Sequence, residues 1–74
     1  MTRSPAPLPS PERRRHLREA ASLTQAQVAR RIGVTRGTVR AWESGRTTPR
    51  GPGREAYADL LTSLTRTVAT VKTA

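Results

Sequence analysis

Between Arg13 and Arg54 the chain carries eleven arginines against two acids, Glu19 and Glu43, and this zone holds the whole net charge of +9. A guanidinium fork offers paired N–H donors that match phosphate oxygens and the guanine edge. So dense a basic zone attracts a polyanion through long-range fields and counterion release. Charge alone fits DNA, RNA or an anionic membrane surface. Thirteen of the fourteen basic residues are Arg, which the codon usage of a GC-rich genome explains equally well. Catalysis has no comparable footing. With one histidine, no cysteine and no spaced pair of acids beyond a candidate ion pair and surface charges, neither a nucleophile–base pair nor a metal site can be assembled. His16 reads as a solvent-facing side chain. No cofactor, metal or small-molecule ligand is expected.

The elements that position these arginines must be small. A chain of 74 residues has room for one domain that buries only about 60% of its unfolded surface. Without cysteine no disulfide helps, and the redox compartment stays undetermined. Phe is absent and Trp42 and Tyr57 are the only aromatics, so aliphatic side chains on helices are the expected core material. No apolar run approaches the roughly 20 residues of a membrane span, and no signal-like apolar start is present. The expectation is a cytoplasmic, nucleoid-associated protein.

Met1–Pro9 (MTRSPAPLP) has prolines at alternate positions and little to bury, which predicts a flexible arm over 1–9. A plain terminus is the simpler reading of it, with an arm reaching DNA through Arg3 the sharper one. Ser10-Pro11-Glu12 is a helix start with a capping hydroxyl, a first-turn proline and an acid at the positive dipole end. A helix is predicted over 11–21, with Leu17, Ala20 and Ala21 inward and Arg13, Arg14 and Arg15 outside. Thr24 and Gln27 form a capping box that starts a second helix at Gln25. Val28, Ala29 and Ile32 share one face of it, and Gly33 ends it. Thr35 caps a third helix from Arg36, with Val39 and Trp42 inside and Gly45 as the stop.

Only Val34 and Thr35 separate Gly33 from the third helix. Two helices this short, joined this tightly, must cross steeply, so residues 25–44 read as a helix-turn-helix. Arg46–Gly53 reads as a loop. A last helix is predicted from near Arg54, with Tyr57, Leu60, Leu61 and Leu64 apolar. The domain is thus expected over 10–65, with 66–74 a weakly ordered tail or a helix extension, because the β-branched Thr and Val residues there weaken a helix.

At about 100° per residue, helix three places Val39 and Trp42 on one side and Arg36, Gly37, Arg40, Ala41 and Ser44 on the other. Val28, Ile32, Val34, Val39 and Trp42 are expected to cluster against Leu17, Leu23 and the last helix. Trp42 reads as core; stacking on a base is the sharper alternative.

Residues 17–49, LREAASLTQAQVARRIGVTRGTVRAWESGRTTP, resemble the lambda-repressor-like or Cro-like (XRE) family of bacterial and phage helix-turn-helix domains. The elements that carry the resemblance are LTQ before helix two, Val28-Ala29, the Ile32-Gly33-Val34 turn, Val39 and Trp42-Glu43-Ser44-Gly45. It implies an all-α, compact bundle of four to five short helices. It also implies base reading in the major groove from the start of helix three, which falls on Arg36, Gly37, Thr38, Arg40 and Ala41. Arg36 is the first choice for a forked guanine contact, and Arg40 is either a second base reader or a phosphate clamp. Gly37 and Ala41 are either close-approach and methyl contacts or bystanders.

In the family the position of Gln25 grips a phosphate. Thr24, Thr35, Ser44, Arg46 and Thr48 are further phosphate candidates, with Thr24 and Thr35 equally well pure caps. Arg18 and Glu43 occupy positions that form a structural ion pair in many members. Arg14 departs from the family pattern, which more often has an apolar residue there.

The resemblance implies sequence-specific binding of double-stranded DNA by a small bacterial or phage transcription regulator, acting as a homodimer on two-fold sites. Tyr57, Leu61, Leu64, Val68 and Val71 follow a 4-3-4-3 spacing that reads either as core or as a short dimer seam. The alternative function is an antitoxin-like or plasmid and phage accessory DNA-binding protein that works mainly through a protein partner. A charge-driven RNA or nucleoid binder without sequence preference is a third reading, and the turn motif argues against it.

Overall fold

Four helices in the order α1 (Pro11–Ala20), α2 (Gln25–Ile32), α3 (Arg36–Ser44) and α4 (Gly51–Thr73) make up the computed structural model. It describes residues 8–73, with side chains through residue 68. The expected arm before Leu8, with Arg3, and the side chain of Val71 lie outside the described residues.

Local chemistry explains each boundary. Ser10 Oγ accepts the Arg13 N–H at 3.1 Å, and Pro11 opens α1 where a missing N–H costs nothing. The helix closes with Ser22 N–H donating to Glu19 O at 2.9 Å and Leu23 N–H to Arg18 O at 3.1 Å. These are the paired reverse bonds of a Schellman end, and they require the left-handed φ of 59° that Ser22 adopts. Thr24 and Gln27 exchange side chain-to-backbone bonds at 2.8 and 3.0 Å to start α2. Thr35 Oγ1 accepts the Thr38 N–H at 3.1 Å to start α3. Gly33 and Gly45, at φ 80° and 78°, end the two helices in a conformation that clashes with a Cβ.

The last helix starts earlier than the sequence reading placed it, and of the two readings of the segment after residue 65 it takes the helix extension. It starts at Gly51 instead of near Arg54, because Pro52 falls in the first turn, where no N–H is needed. It continues past Thr65 to Thr73. Thr65 Oγ1 donates to Leu61 O at 2.8 Å and Thr67 Oγ1 to Ser63 O at 3.1 Å, so these hydroxyls are satisfied inside the helix.

Leu17, Val28, Ala29, Val39, Trp42, Tyr57, Leu61 and Leu64 form one buried cluster, edged by Leu8, Ala21, Leu23, Ile32, Val34, Leu60 and Val68. Ala29 is a small residue within this cluster. Trp42 stacks on Tyr57, with ring centroids 4.7 Å apart and planes tilted by 30°, so its ring is spent on the core and not on a base. Tyr57, Leu61 and Leu64 are likewise consumed within the chain's own core, which removes them from any seam between copies.

Two assignments on α1, Ala20 inward and Arg14 outside, are corrected. Ala20 is exposed and Arg14 is buried. The inward stripe is Arg14, Leu17 and Ala21, spaced three and four residues apart, because Arg14 lies one turn before Leu17 on the same face.

Candidate nucleic-acid interface

The outer face of α3 is open. Arg36, Gly37 and Arg40 are exposed, and Thr38 and Ala41 are half-buried at its edges. Gly37, Arg40, Ala41, Ser44, Gly45 and Arg46 line one shallow concavity. Arg36 lies in a different groove, shared with Thr24, Gln25 and Ala26 at the start of α2 and with Arg18 and Leu23. The candidate readers therefore divide between two adjoining surfaces. The hydroxyls of Thr38 and Thr35 are 2.9 Å apart and hydrogen-bonded, which ties both to the cap. Ser44 Oγ donates to Ala41 O at 3.0 Å. Thr48 is exposed and lines neither surface.

Neither α2 nor α3 has an acid in its first turn, so neither helix offsets the positive end of its own dipole, although Glu19 also lines the Arg36 groove. Of the eleven arginines between 13 and 54, eight are exposed: 13, 15, 30, 31, 36, 40, 46 and 50. Arg15 sits 3.8 Å from Glu19 in an exposed i,i+4 pair, too solvated to fix anything.

Beneath the face, α3 is anchored by charge. Arg18 Nε donates to Glu43 Oε2 at 2.6 Å and Arg18 Nη2 to Glu43 Oε1 at 3.0 Å, and the side chains are only 12% and 4% exposed. Arg18 Nη1 also donates to Leu23 O at 2.8 Å. Donation to the Glu43 carboxylate holds the Arg18 guanidinium above its ordinary pKa, against the opposing effect of burial. Gln25 Nε2 donates to Glu43 Oε1 at 3.2 Å. The Gln25 side chain is thus turned toward the ion pair in the free protein, while its backbone sits at the α2 N-terminus.

The sequence reading missed the place of Arg14. Its Nε donates to Pro9 O at 2.8 Å and its Nη1 to Trp42 O at 3.0 Å. The available signal was its place on the Leu17 face, which its charge overrode. Pro49, read as loop, is also fully buried.

A short exposed helix bearing arginines, joined by a tight turn to the helix before it and braced from below, defines a helix-turn-helix DNA-binding domain. The sequence profile of a family described as helix-turn-helix matches residues 15–52. The chain belongs to that family, in its lambda-repressor-like (XRE) branch. Neither the curated proteins nor the solved structures compared with the chain give a match. Among the described residues no cluster of three or more His, Asp or Glu could hold a metal, and no helix is long and apolar enough to cross a membrane.

Proposed function

We propose that the chain reads double-stranded DNA by laying α3 in the major groove, as a small bacterial or phage transcription regulator working in the cytoplasm. The observation that carries this reading is the exposed α3 face, with Arg36 and Arg40 outward while Val39, Trp42 and Glu43 are held inside. An α-helix fits the major groove, where each base pair presents a distinct set of donors and acceptors. Arg36 takes guanine O6 and N7, and Arg40 stands one turn along as a second reader or a phosphate clamp. Thr38, Gly37 and Ala41 complete the base-facing set. Free N–H groups at Gln25 and the side chains of Thr24, Thr35, Ser44, Arg46 and Thr48 meet phosphates, which fix register without carrying sequence. A two-fold operator with half-sites about one helical turn apart would present itself to two copies of this face.

Competition between the best duplex selected from randomised DNA and random duplex, at physiological salt, tests the reading. Preference for the selected duplex by at least about a thousandfold is expected of a specific regulator. Equal binding would replace this reading with charge-driven association.

A further inference from the structure

We propose that Arg14 is a positioning residue for DNA reading, a second clamp that sets the roll of the recognition helix. The inference rests on the function proposed above. Arg14 and Arg18 stand one turn apart on α1 and grip consecutive residues of α3. Arg18 holds the carboxylate of Glu43, and Arg14 donates from Nη1 to the carbonyl of Trp42 at 3.0 Å. Val39 and Trp42 seat α3 in the core, and polar anchors at two successive residues of its last turn restrict its rotation further.

The carbonyl that Arg14 takes belongs to the last turn of α3, where backbone acceptors lack partners within the helix. In a longer helix Arg46 N–H would reach Trp42 O, but here it donates to Ala41 O at 3.0 Å. A buried cation at this site also faces the negative end of the α3 dipole. The same guanidinium donates from Nε to Pro9 O at 2.8 Å, and Pro11 Cγ lies 3.5 Å from where a Cβ on Gly45 would stand. The chain entering α1 is thereby pinned against the end of α3. Arg14 is only 9% exposed, so it acts on DNA through the helix it holds and contacts no phosphate itself.

Arg14→Met, which keeps the bulk and removes the donors, and Arg14→Lys, which keeps the charge without the fork, test the proposal. Each is compared with the wild type on the selected and random duplexes across a salt series, at a temperature where circular dichroism shows the folded state. The ratio of specific to non-specific affinity is expected to fall about tenfold in Arg14→Met, the loss of one well-placed base contact. A smaller fall is expected in Arg14→Lys. The salt slope on random DNA should stay at its wild-type value. An unchanged ratio in the folded variants overturns the proposal and leaves Arg14 a purely structural residue. A slope reduced by about 0.9 overturns it by making Arg14 a phosphate contact. Should Arg14→Met fail to fold, full discrimination by Arg14→Lys overturns it. A wild type that does not discriminate removes the DNA-reading function itself, whereas a discriminating wild type with unaltered variants removes only the role of Arg14.

Discussion

Arg18 grips Glu43 through both carboxylate oxygens, at 2.6 and 3.0 Å, from a helix 25 residues earlier in the chain. The pair joins α1 to the recognition helix, and Gln25 of α2 donates to the same carboxylate. Three helices therefore converge on one charged group directly beneath the exposed α3 face proposed to read DNA. Glu43 points away from that face, so its part is to hold α3.

Glu43→Ala would leave a largely buried guanidinium without its partner. The expected loss is about 3 kcal/mol, a fall in melting temperature of more than about 10 °C for a domain this small. Base preference, measured at a temperature where the variant is folded, should be retained. An unchanged melting temperature contradicts the structural role.

Tyr57 is the only tyrosine, and its pKa is pushed from 10.0 up to about 12, mainly by burial and further by the negative charge of Glu43. The raised folded-state value means that its contribution to stability is complete below pH 10 and is lost as pH climbs toward 12. Tyrosinate absorbance should rise late, together with alkaline unfolding, and Tyr57→Phe should remove this part of the pH dependence. At neutral pH Tyr57→Phe should cost no stability, because the buried hydroxyl makes no hydrogen bond within the protein. Titration near the value of a solvated phenol contradicts the burial.

Ser22 holds a φ of 59° at the end of α1, a conformation that costs a side chain about 1 kcal/mol or more and glycine almost nothing. Ser22→Gly should therefore stabilise the domain by roughly 0.5–1 kcal/mol, read as a higher urea midpoint. A lower midpoint would show that the Schellman end is not strained.

The apolar stripe of α4 is spent inside the chain, with Tyr57, Leu61 and Leu64 at 2%, 3% and 6% exposure. Deleting residues 66–74 should leave the association state in sedimentation unaltered. A dimer that dissociates on truncation contradicts this assignment.

What was legible in the sequence was what neighbouring residues decide among themselves. The Thr24–Gln27 box, the Thr35 cap, the Gly33 and Gly45 stops and the inward Val39 and Trp42 depend on spacings of a few residues. The inward place of Arg14 had a signal in its spacing from Leu17, but its partners, the carbonyls of Pro9 and Trp42, are backbone groups that no sequence pattern displays. Gln25 was read for its backbone position, and its side chain answers to Glu43, a residue on another helix. The start of α4 was hidden because Gly51-Pro52-Gly53 has loop composition, although proline is well tolerated in a first turn. For the interface, the arginine face was visible as a helical wheel, but its division into an Arg36 groove beside α2 and an Arg40 concavity beside Arg46 needed the folded chain.

The most direct test of DNA reading by α3 is selection of bound sites from randomised duplexes with the wild type and with Arg36→Ala. The wild type should yield a defined motif, and Arg36→Ala should relax one base-pair position of each half-site by about 1–3 kcal/mol while the other positions persist. Uniform weakening across all sequences, with every position of the motif preserved, would make Arg36 a phosphate contact and contradict its place as the principal base reader.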